Sequence, residues 1–366
     1  MLDKNQAISI LVSDLNIGGI EKNSIHLSNF LVRNGYKVDL LLIKSGGDLS
    51  SMLDSRVNRI DFKSRSIKNS FFSLLKYFFR ENPFACFVNS WPITIFAICA
   101  KLICFNNVKL IVCEHTTWSK DEIYQEAKIK CLIPLSMRFF YFFAHKIICV
   151  SKGSANDLHQ LTNISKNKIE VIYNPIQTSL ALDYSMLTNY SYWQNGDHKK
   201  LIAVGSLKPS KDYFTLFRAI KILKEDLKIK LLVLGDGPLY KNLIKLREDL
   251  GLEDCIIMPG FEKEPLPLMA SADLLVLSSA FEGFGNVIVE SFSVGTPVVS
   301  TDCPHGPNEI ISNSSLGILA KVNDPASIAN AIKKSFSMSY NEESLKSRAN
   351  EFSIEIAGNK YLRTII

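Results

Sequence analysis

The chain has 366 residues, 47% apolar and 21% charged, with a net charge of +6. That length fits two domains, each able to close its own core, and that balance excludes a disordered or low-complexity chain. The charge is uneven, with 22 Lys/Arg against 14 Asp/Glu in residues 1–180 and 20 against 22 in the rest, and a basic half favours an anionic partner, either nucleic acid or a membrane face.

In chain order, Ile8–Val12 reads as a first buried strand. Asn16-Ile17-Gly18-Gly19 then turns into a helix over about 20–33, closed by Asn34-Gly35, and 38–43 is the next strand. The loop is not Gly-x-Gly-x-x-Gly and no acid ends the second strand, which disfavours a dinucleotide site. Residues 66–80 read as a helix with Ile67, Phe71, Leu74, Leu75 and Phe78 on one stripe; Phe72, Tyr77 and Phe79 widen it, and Lys68, Lys76 and Arg80 flank it. Residues 128–146 again mix bases with aromatics, from Arg138 through Phe143. A basic, aromatic-rich helix is a membrane-interface signature, so Phe72, Phe78, Phe79 and Arg138 are expected to contact an anionic membrane.

Residues 83–100 carry no charge, but Asn89-Ser90-Trp91-Pro92 interrupts them, and a strand over 84–88 with a buried helix over 93–103 fits better than a membrane span. Strands follow at 110–113, ending in Glu114-His115-Thr116-Thr117-Trp118, at 146–150, and at 169–172, ending in Tyr173-Asn174-Pro175. Periodicity fades over 181–199, the expected linker between domains at 1–180 and 200–366, with the last helix a candidate to cross back to the first domain. The eight cysteines stand singly, none in a Cys-x-x-Cys pair, as suits reduced thiols in a cytosolic protein. The first residues lack a basic segment followed by a long apolar run, so no signal peptide is expected.

The second half repeats strand, loop and helix. Residues 201–204 lead into the loop 205–212 and a helix to about 225; 231–234 lead into Gly235-Asp236-Gly237-Pro238 and another helix; 256–257 lead into Pro259-Gly260. The stretch 274–277 reads as a buried strand, and after it come Glu282-Gly283-Phe284-Gly285-Asn286-Val287 and a helix carrying Glu290 one turn on. Glycines let a ligand approach the backbone, and the amides of 284–287 at a helix start form an anion site. Glu290 and Glu282 would accept hydroxyls at either end of a nucleotide-sugar, and Lys211 would supply a point charge against the negative charge that develops on a departing diphosphate. No Asp-x-Asp occurs near a strand end, so no metal is expected.

Taken in order, Gly18-Gly19, Gly205 to Lys211, Gly235-x-Gly237-Pro238, Glu282-x7-Glu290 and Gly295-Thr296-Pro297-Val298-Val299 resemble the retaining GT-B glycosyltransferases of family 4, most closely those of bacterial surface glycans. The resemblance implies an α/β architecture of two Rossmann-like βαβ domains facing each other across a cleft, with the nucleotide-sugar mainly in the second and the acceptor in the first. It implies that Glu290 holds the ribose, Glu282 the donor sugar, and Lys211 with backbone near Gly19 the diphosphate. Gly205 and the loop from Gly283 to Val287 would line the donor site, and His115 would lie beside the sugar. The activity implied is metal-independent transfer of a hexose or N-acetylhexosamine from a UDP-sugar, with no cofactor and with retained configuration. The acceptor would be a lipid-diphosphate-linked glycan at the inner face of the cytoplasmic membrane, in O-antigen, capsule or similar synthesis. Ser206 stands where that family usually carries an arginine, with Lys208 nearby. A UDP-sugar epimerase and a non-catalytic membrane-surface module are the competing readings; the phosphate loops lie in the acidic half, against nucleic-acid binding.

Overall fold

The structure, a computed structural model, describes residues 6–366 except 106, 122–124, 126–129 and 179–181, and leaves the side chains of 191 and 192 undescribed. Lys128 and Ile129 of the second aromatic segment, and positions 180 and 181 at the expected linker boundary, lie outside the described residues. The chain divides into two compact units, Met1–Ile176 with Ser353–Ile366, and Gln177–Phe352.

The first unit is built on a seven-stranded parallel sheet in the order β3-β2-β1-β4-β5-β6-β7, with β1 Ile8–Val12, β2 Val38–Leu42, β3 Asn58–Asp61, β4 Ala85–Asn89, β5 Lys109–Glu114, β6 Lys146–Cys149 and β7 Ile169–Val171. The central strands β1, β2 and β4 are buried at every position, as expected of parallel strands covered on both faces. Ile8 sits level with Val38 on one side and Ala85 on the other. Because side chains alternate, Ile8, Ile10 and Val12 join a core with α1 (Gly19–Arg33), while Leu11 joins the opposite core under α2 (Ile67–Glu81), α3 (Ile93–Ile103) and α4 (Leu132–Phe140). The helix α5 (Lys152–Thr162) opens on a capping box between Ser151 and Ser154.

α2 begins at Ser66, whose hydroxyl accepts from the Asn69 amide, and ends on left-handed Asn82 before Pro83. At roughly 100° per residue, Phe72 and Phe79 fall on its outer stripe and Phe78 on its inner one. Phe72 and Phe79 are exposed, whereas Phe78 is wholly buried among Leu74, Ile98 and their neighbours. The expected membrane contact at Phe78 is therefore corrected: it is a core residue. The uncharged stretch 83–100 resolves into β4 and the start of the eleven-residue α3, and among the described residues no helix is long and apolar enough to cross a membrane.

The last helix, Ile354–Arg363, belongs to the first unit. Ser353 bridges to Ile176, Gly358 packs where a Cβ would fall 2.5 Å from the Phe30 ring, and Tyr361 meets the Phe87 ring edge-on at 5.5 Å.

The second unit carries a six-stranded parallel sheet, order β10-β9-β8-β11-β12-β13, with β8 Lys199–Val204, β9 Ile229–Leu234, β10 Ile256–Gly260, β11 Leu274–Leu277, β12 Val298–Thr301 and β13 Gly317–Ala320. One core lies under α6 (Tyr213–Leu223) and α7 (Tyr240–Asp249); α8 (Asn286–Ser293) follows β11, α9 (Pro325–Phe336) pairs with α6, and α10 (Glu342–Asn350) packs on α8. The stretch expected as a linker is packed against this unit: Trp193 is fully buried and the Tyr190 hydroxyl donates to Glu262 at 2.8 Å.

Candidate functional site

In the second unit the strand order reverses between β8 and β11, because β8 runs on to β9 on one side while β11 runs on to β12 on the other. At such a switch point the loops leaving the carboxyl ends diverge and open a crevice. Lys211 lies in the loop after β8 and Glu282 in the loop after β11, and the structure brings them into an ion pair, Nζ to Oε1 at 2.5 Å. The same carboxylate oxygen accepts from the Ser279 hydroxyl at 2.6 Å.

Backbone contacts stitch three loops around this pair. The Ala280 amide donates to Ser210 O (2.8 Å), the Ser278 hydroxyl to Lys211 O (2.8 Å), the Thr301 hydroxyl to Ser279 O (2.6 Å) and the Glu282 amide to Pro304 O (3.3 Å). Both side chains are mostly shielded, at 18% and 11% exposure. The charge is felt around it: burial first and Glu282 second push the Cys303 thiol up to about 12, and the same two causes raise the Tyr213 phenol. An ammonium has three N–H donors, and Glu282 takes one, so the cation can serve a second anion without leaving the first.

The loop from Glu282 reaches α8 through Gly285, which caps the helix at φ 101°, a backbone suited to glycine. Gly283 does not adopt a positive φ. Phe284 is buried edge-on against Phe352 at 5.3 Å, so it anchors the loop. Asn286 opens α8, Val287 is buried in its first turn, and Glu290 is half-buried one turn on, as the spacing predicts. Gly205 directly follows β8, and its carbonyl accepts from the Tyr213 hydroxyl at 3.2 Å. Ser206 and Lys208 are both exposed, and the Lys208 side chain has no hydrogen bond or ion pair among the described residues.

In the first unit the switch point lies between β1 and β4. Gly18 caps α1 in an extended conformation and Gly19 is the helix's first residue, so α1 presents its amide end after β1. His115 follows β5. Its Nε2 lies 2.8 Å from Asn89 Oδ1, while the Asn89 amide nitrogen donates to Leu11 O at 3.1 Å and to Ser24 Oγ at 3.3 Å. That orientation of Asn89 makes Nε2 the protonated nitrogen, and leaves a shielded Nδ1 with no hydrogen-bond partner among the described residues. Burial pushes the His115 pKa down to about 4, against a smaller upward effect of the Asn174 side chain, so the ring is neutral near pH 7. The ring borders a cavity of about 10 Å³ lined by Asn23, Ser24, Asn89 and Tyr361, room for about one water.

Just before His115, Glu114 is 1% exposed and is held by donors from Tyr141 and, at 2.8 Å, from Trp118 Nε1. Burial raises its pKa to about 7, opposed by those two hydrogen bonds. Sequence reasoning did not single out Asn89, Glu114 as a buried acid, or Ser279. Asn89 meets His115 only because β4 lies beside β5, whereas Ser279 stands three residues before Glu282 and Glu114 directly before His115, where a common residue type carries no signal of its role.

Two family models match the chain: the one described as Glycosyltransferase Family 4 over residues 17–180, and the one described as Glycosyl transferases group 1 over residues 192–352. The chain is 32% identical over 233 residues to the N-acetylgalactosamine-N,N'-diacetylbacillosaminyl-diphospho-undecaprenol 4-alpha-N-acetylgalactosaminyltransferase of Campylobacter jejuni, a match over 62% of this chain and 60% of that protein. It is 32% identical over 190 residues to the lipopolysaccharide core biosynthesis glycosyltransferase LpsE of Rhizobium meliloti, over 51% of this chain and 53% of that one. The matched stretch thus spans between half and two thirds of these relatives. In fold, the chain is similar to the Anabaena protein HepE solved with UDP-glucose, with a TM-score of 0.82 and 19% identity over 98% of this chain and 99% of that one. Two parallel Rossmann-like sheets, the glycine loops over their switch points and both family matches agree: the chain belongs to the group 1, family 4 glycosyltransferases, with the GT-B fold.

Proposed function

We propose that the protein is a retaining glycosyltransferase that moves a hexose or N-acetylhexosamine from a UDP-sugar to a lipid-diphosphate-linked glycan in bacterial surface polysaccharide synthesis, at the cytoplasmic face of the membrane. The observation that carries the reading is the Lys211–Glu282 pair with Ser279, built over the carboxyl ends of β8 and β11 beside the amide end of α8. Such a site meets a diphosphate with a cation and peptide N–H groups, and a sugar with a carboxylate. The Campylobacter relative's name specifies a diphospho-undecaprenol acceptor, and HepE was solved with UDP-glucose, which supports the two substrate classes. The eight free thiols suit a reducing compartment.

In the reaction, the bond from the anomeric carbon to the β-phosphate oxygen breaks and a bond to the acceptor hydroxyl forms on the same face. The departing phosphate oxygen takes the acceptor's proton. Lys211 and the amides at 284–287 lower the energy of the charge that builds on the phosphate. Glu290 accepts from the ribose hydroxyls, and Glu282, held in one orientation by Ser279, fixes the sugar. His115, neutral near pH 7, would add no charge beside the sugar. Positive charge from Lys211 and peptide amides supports metal independence.

Glu282→Ala tests the site. Transfer should fall by roughly 10² to 10³ while the thermal transition and UDP binding persist; transfer at the native rate would refute the assignment. Added EDTA should leave the native rate unchanged, and a rate that collapses and recovers with magnesium would refute the metal-independent reading.

A further inference from the structure

We propose that the outer stripe of α2, the carboxyl end of α3, and α4 with the following turn Tyr141–Phe143 form one docking face for an anionic lipid bilayer. This deepens the lipid-linked acceptor reading, but its chemistry stands on the face itself.

Phe72, Phe79, Ile103, Phe105, Phe139 and Phe142 are 58 to 94% exposed, an unusual concentration of large apolar side chains at the surface. They are contiguous. The Phe71 ring, next to Phe72, meets Phe96 of α3 at 6.0 Å, and Cys104 at the end of α3 lies 3.5 Å from Leu75 O on α2. Lys101 on α3 donates to Phe143 O at 3.4 Å, and the Phe143 ring touches Phe139 at 5.9 Å and Phe142 at 5.4 Å. The carboxyl end of α3 therefore joins α2 to the α4 segment, and the exposed rings belong to neighbouring elements of one surface.

The charge around them is mostly positive. Lys68, Lys76, Arg80 and Arg138 are exposed beside the rings, whereas residues 66–105 contain a single acid, Glu81, and residues 130–152 contain none. Rings that enter the acyl boundary and bases that stay with the headgroups are what an anionic bilayer accepts. A second copy of this chain would bring the same cations against each other. A nucleic-acid surface would leave the aliphatic Ile103, Leu132 and Leu135, all exposed here, with nothing to stack on.

The test is co-sedimentation of the full chain with phosphatidylglycerol–phosphatidylcholine vesicles, in the absence of donor and acceptor. The native chain should bind these and not pure phosphatidylcholine. Phe72→Ser, Phe79→Ser and Phe105→Ser combined should lower partitioning by roughly a hundredfold or more, with the melting temperature retained because all three rings are largely exposed. Phe261→Ser, an exposed ring of the second unit, should change nothing. Unchanged sedimentation of the triple variant overturns the proposal. Equal binding to neutral vesicles also overturns it, as does concentration-dependent self-association or single-stranded nucleic-acid binding that the triple variant abolishes while vesicles are ignored. Transfer to a short-chain, water-soluble acceptor should survive in the triple variant. Its absence from the native chain would count against glycosyl transfer and leave the vesicle result standing.

Discussion

Glu114 and His115 are consecutive residues on which burial acts in opposite directions. The carboxyl is pushed up from 4.5 to about 7 and the imidazole down from 6.5 to about 4. A carboxyl with a raised folded pKa contributes its stability in full below 4.5 and loses it as the pH rises to about 7. An imidazole with a lowered folded pKa contributes in full above 6.5 and loses it as the pH falls to about 4. The two cross the same window with opposite sign, each by up to about 3 kcal/mol, so the stability of the first unit should stay nearly flat between pH 4.5 and 6.5. Glu114→Gln unmasks the imidazole. Glutamine mimics the protonated acid, and the Tyr141 hydroxyl can turn to donate to Thr94, already 2.9 Å away. The variant should be more stable than the native chain at pH 8, and its stability should climb from pH 4 to 6.5. Chemical denaturation of the first unit at pH 4.5, 6.5 and 8 measures both, and a profile parallel to that of the native chain would mean that Glu114 does not titrate in this range.

At the scale of elements, the loop before α8 is shaped by a close backbone approach that the sequence does not announce. Gly306 sits at φ 97°, and a Cβ there would fall 2.0 Å from the Phe284 carbonyl oxygen. Gly306→Ala should displace the loop that feeds α8, raising KM for the donor at least about tenfold, as a shift near 1 Å in a positioning group does. Gly251 offers the contrast: its φ is 64° and nothing lies within 4 Å, so Gly251→Ala should cost about 1–2 kcal/mol of stability with donor KM unchanged. A native donor KM in Gly306→Ala would show that the collision does not shape the loop. Legibility follows the same division. The buried strands β1 and β11 read directly from apolar runs, Glu282 and Glu290 from a glycine loop with acids at fixed spacing, and Lys211 from the loop after the strand at 201–204. β3 (Asn58–Asp61) passes unseen because it is a half-exposed edge strand whose polar residues pair sideways, Arg59 with Asp61 and Asn58 with Asp39. The ion pair of Lys211 with Glu282 is equally invisible, because it depends on β8 lying beside β11, a neighbour relation between strands distant in sequence.

For the whole molecule the informative feature is where the chain returns. The first unit is closed by Ser353–Ile366, which arrives only after the whole of the second unit has been traced. Its side chains Ile354, Tyr361, Leu362 and Ile365 are at most 7% exposed and complete the core formed with β1, β4 and α1, while Lys109 donates to Ile365 O at 2.6 Å. At about 1.5–3 kcal/mol for each buried side chain, four of them amount to a large share of the about 5–15 kcal/mol that usually separates folded from unfolded. The sheet of the second unit, the Lys211–Glu282 pair and the amide end of α8 all lie within Gln177–Phe352. A chain ending at Phe352 should therefore lose the calorimetric transition of the first unit, or show it lowered by ten degrees or more, at roughly 2–8 °C per kcal/mol. UDP should still raise the remaining transition, by an amount near 2.7 kcal/mol at a hundredfold excess over Kd. Adding the 353–366 peptide should restore part of the first transition, because the groove beside Phe30 and Phe87 that it fills is otherwise open to water. If the truncated chain kept both transitions at the native temperatures, the last helix would be an ornament on a first unit already complete at residue 176.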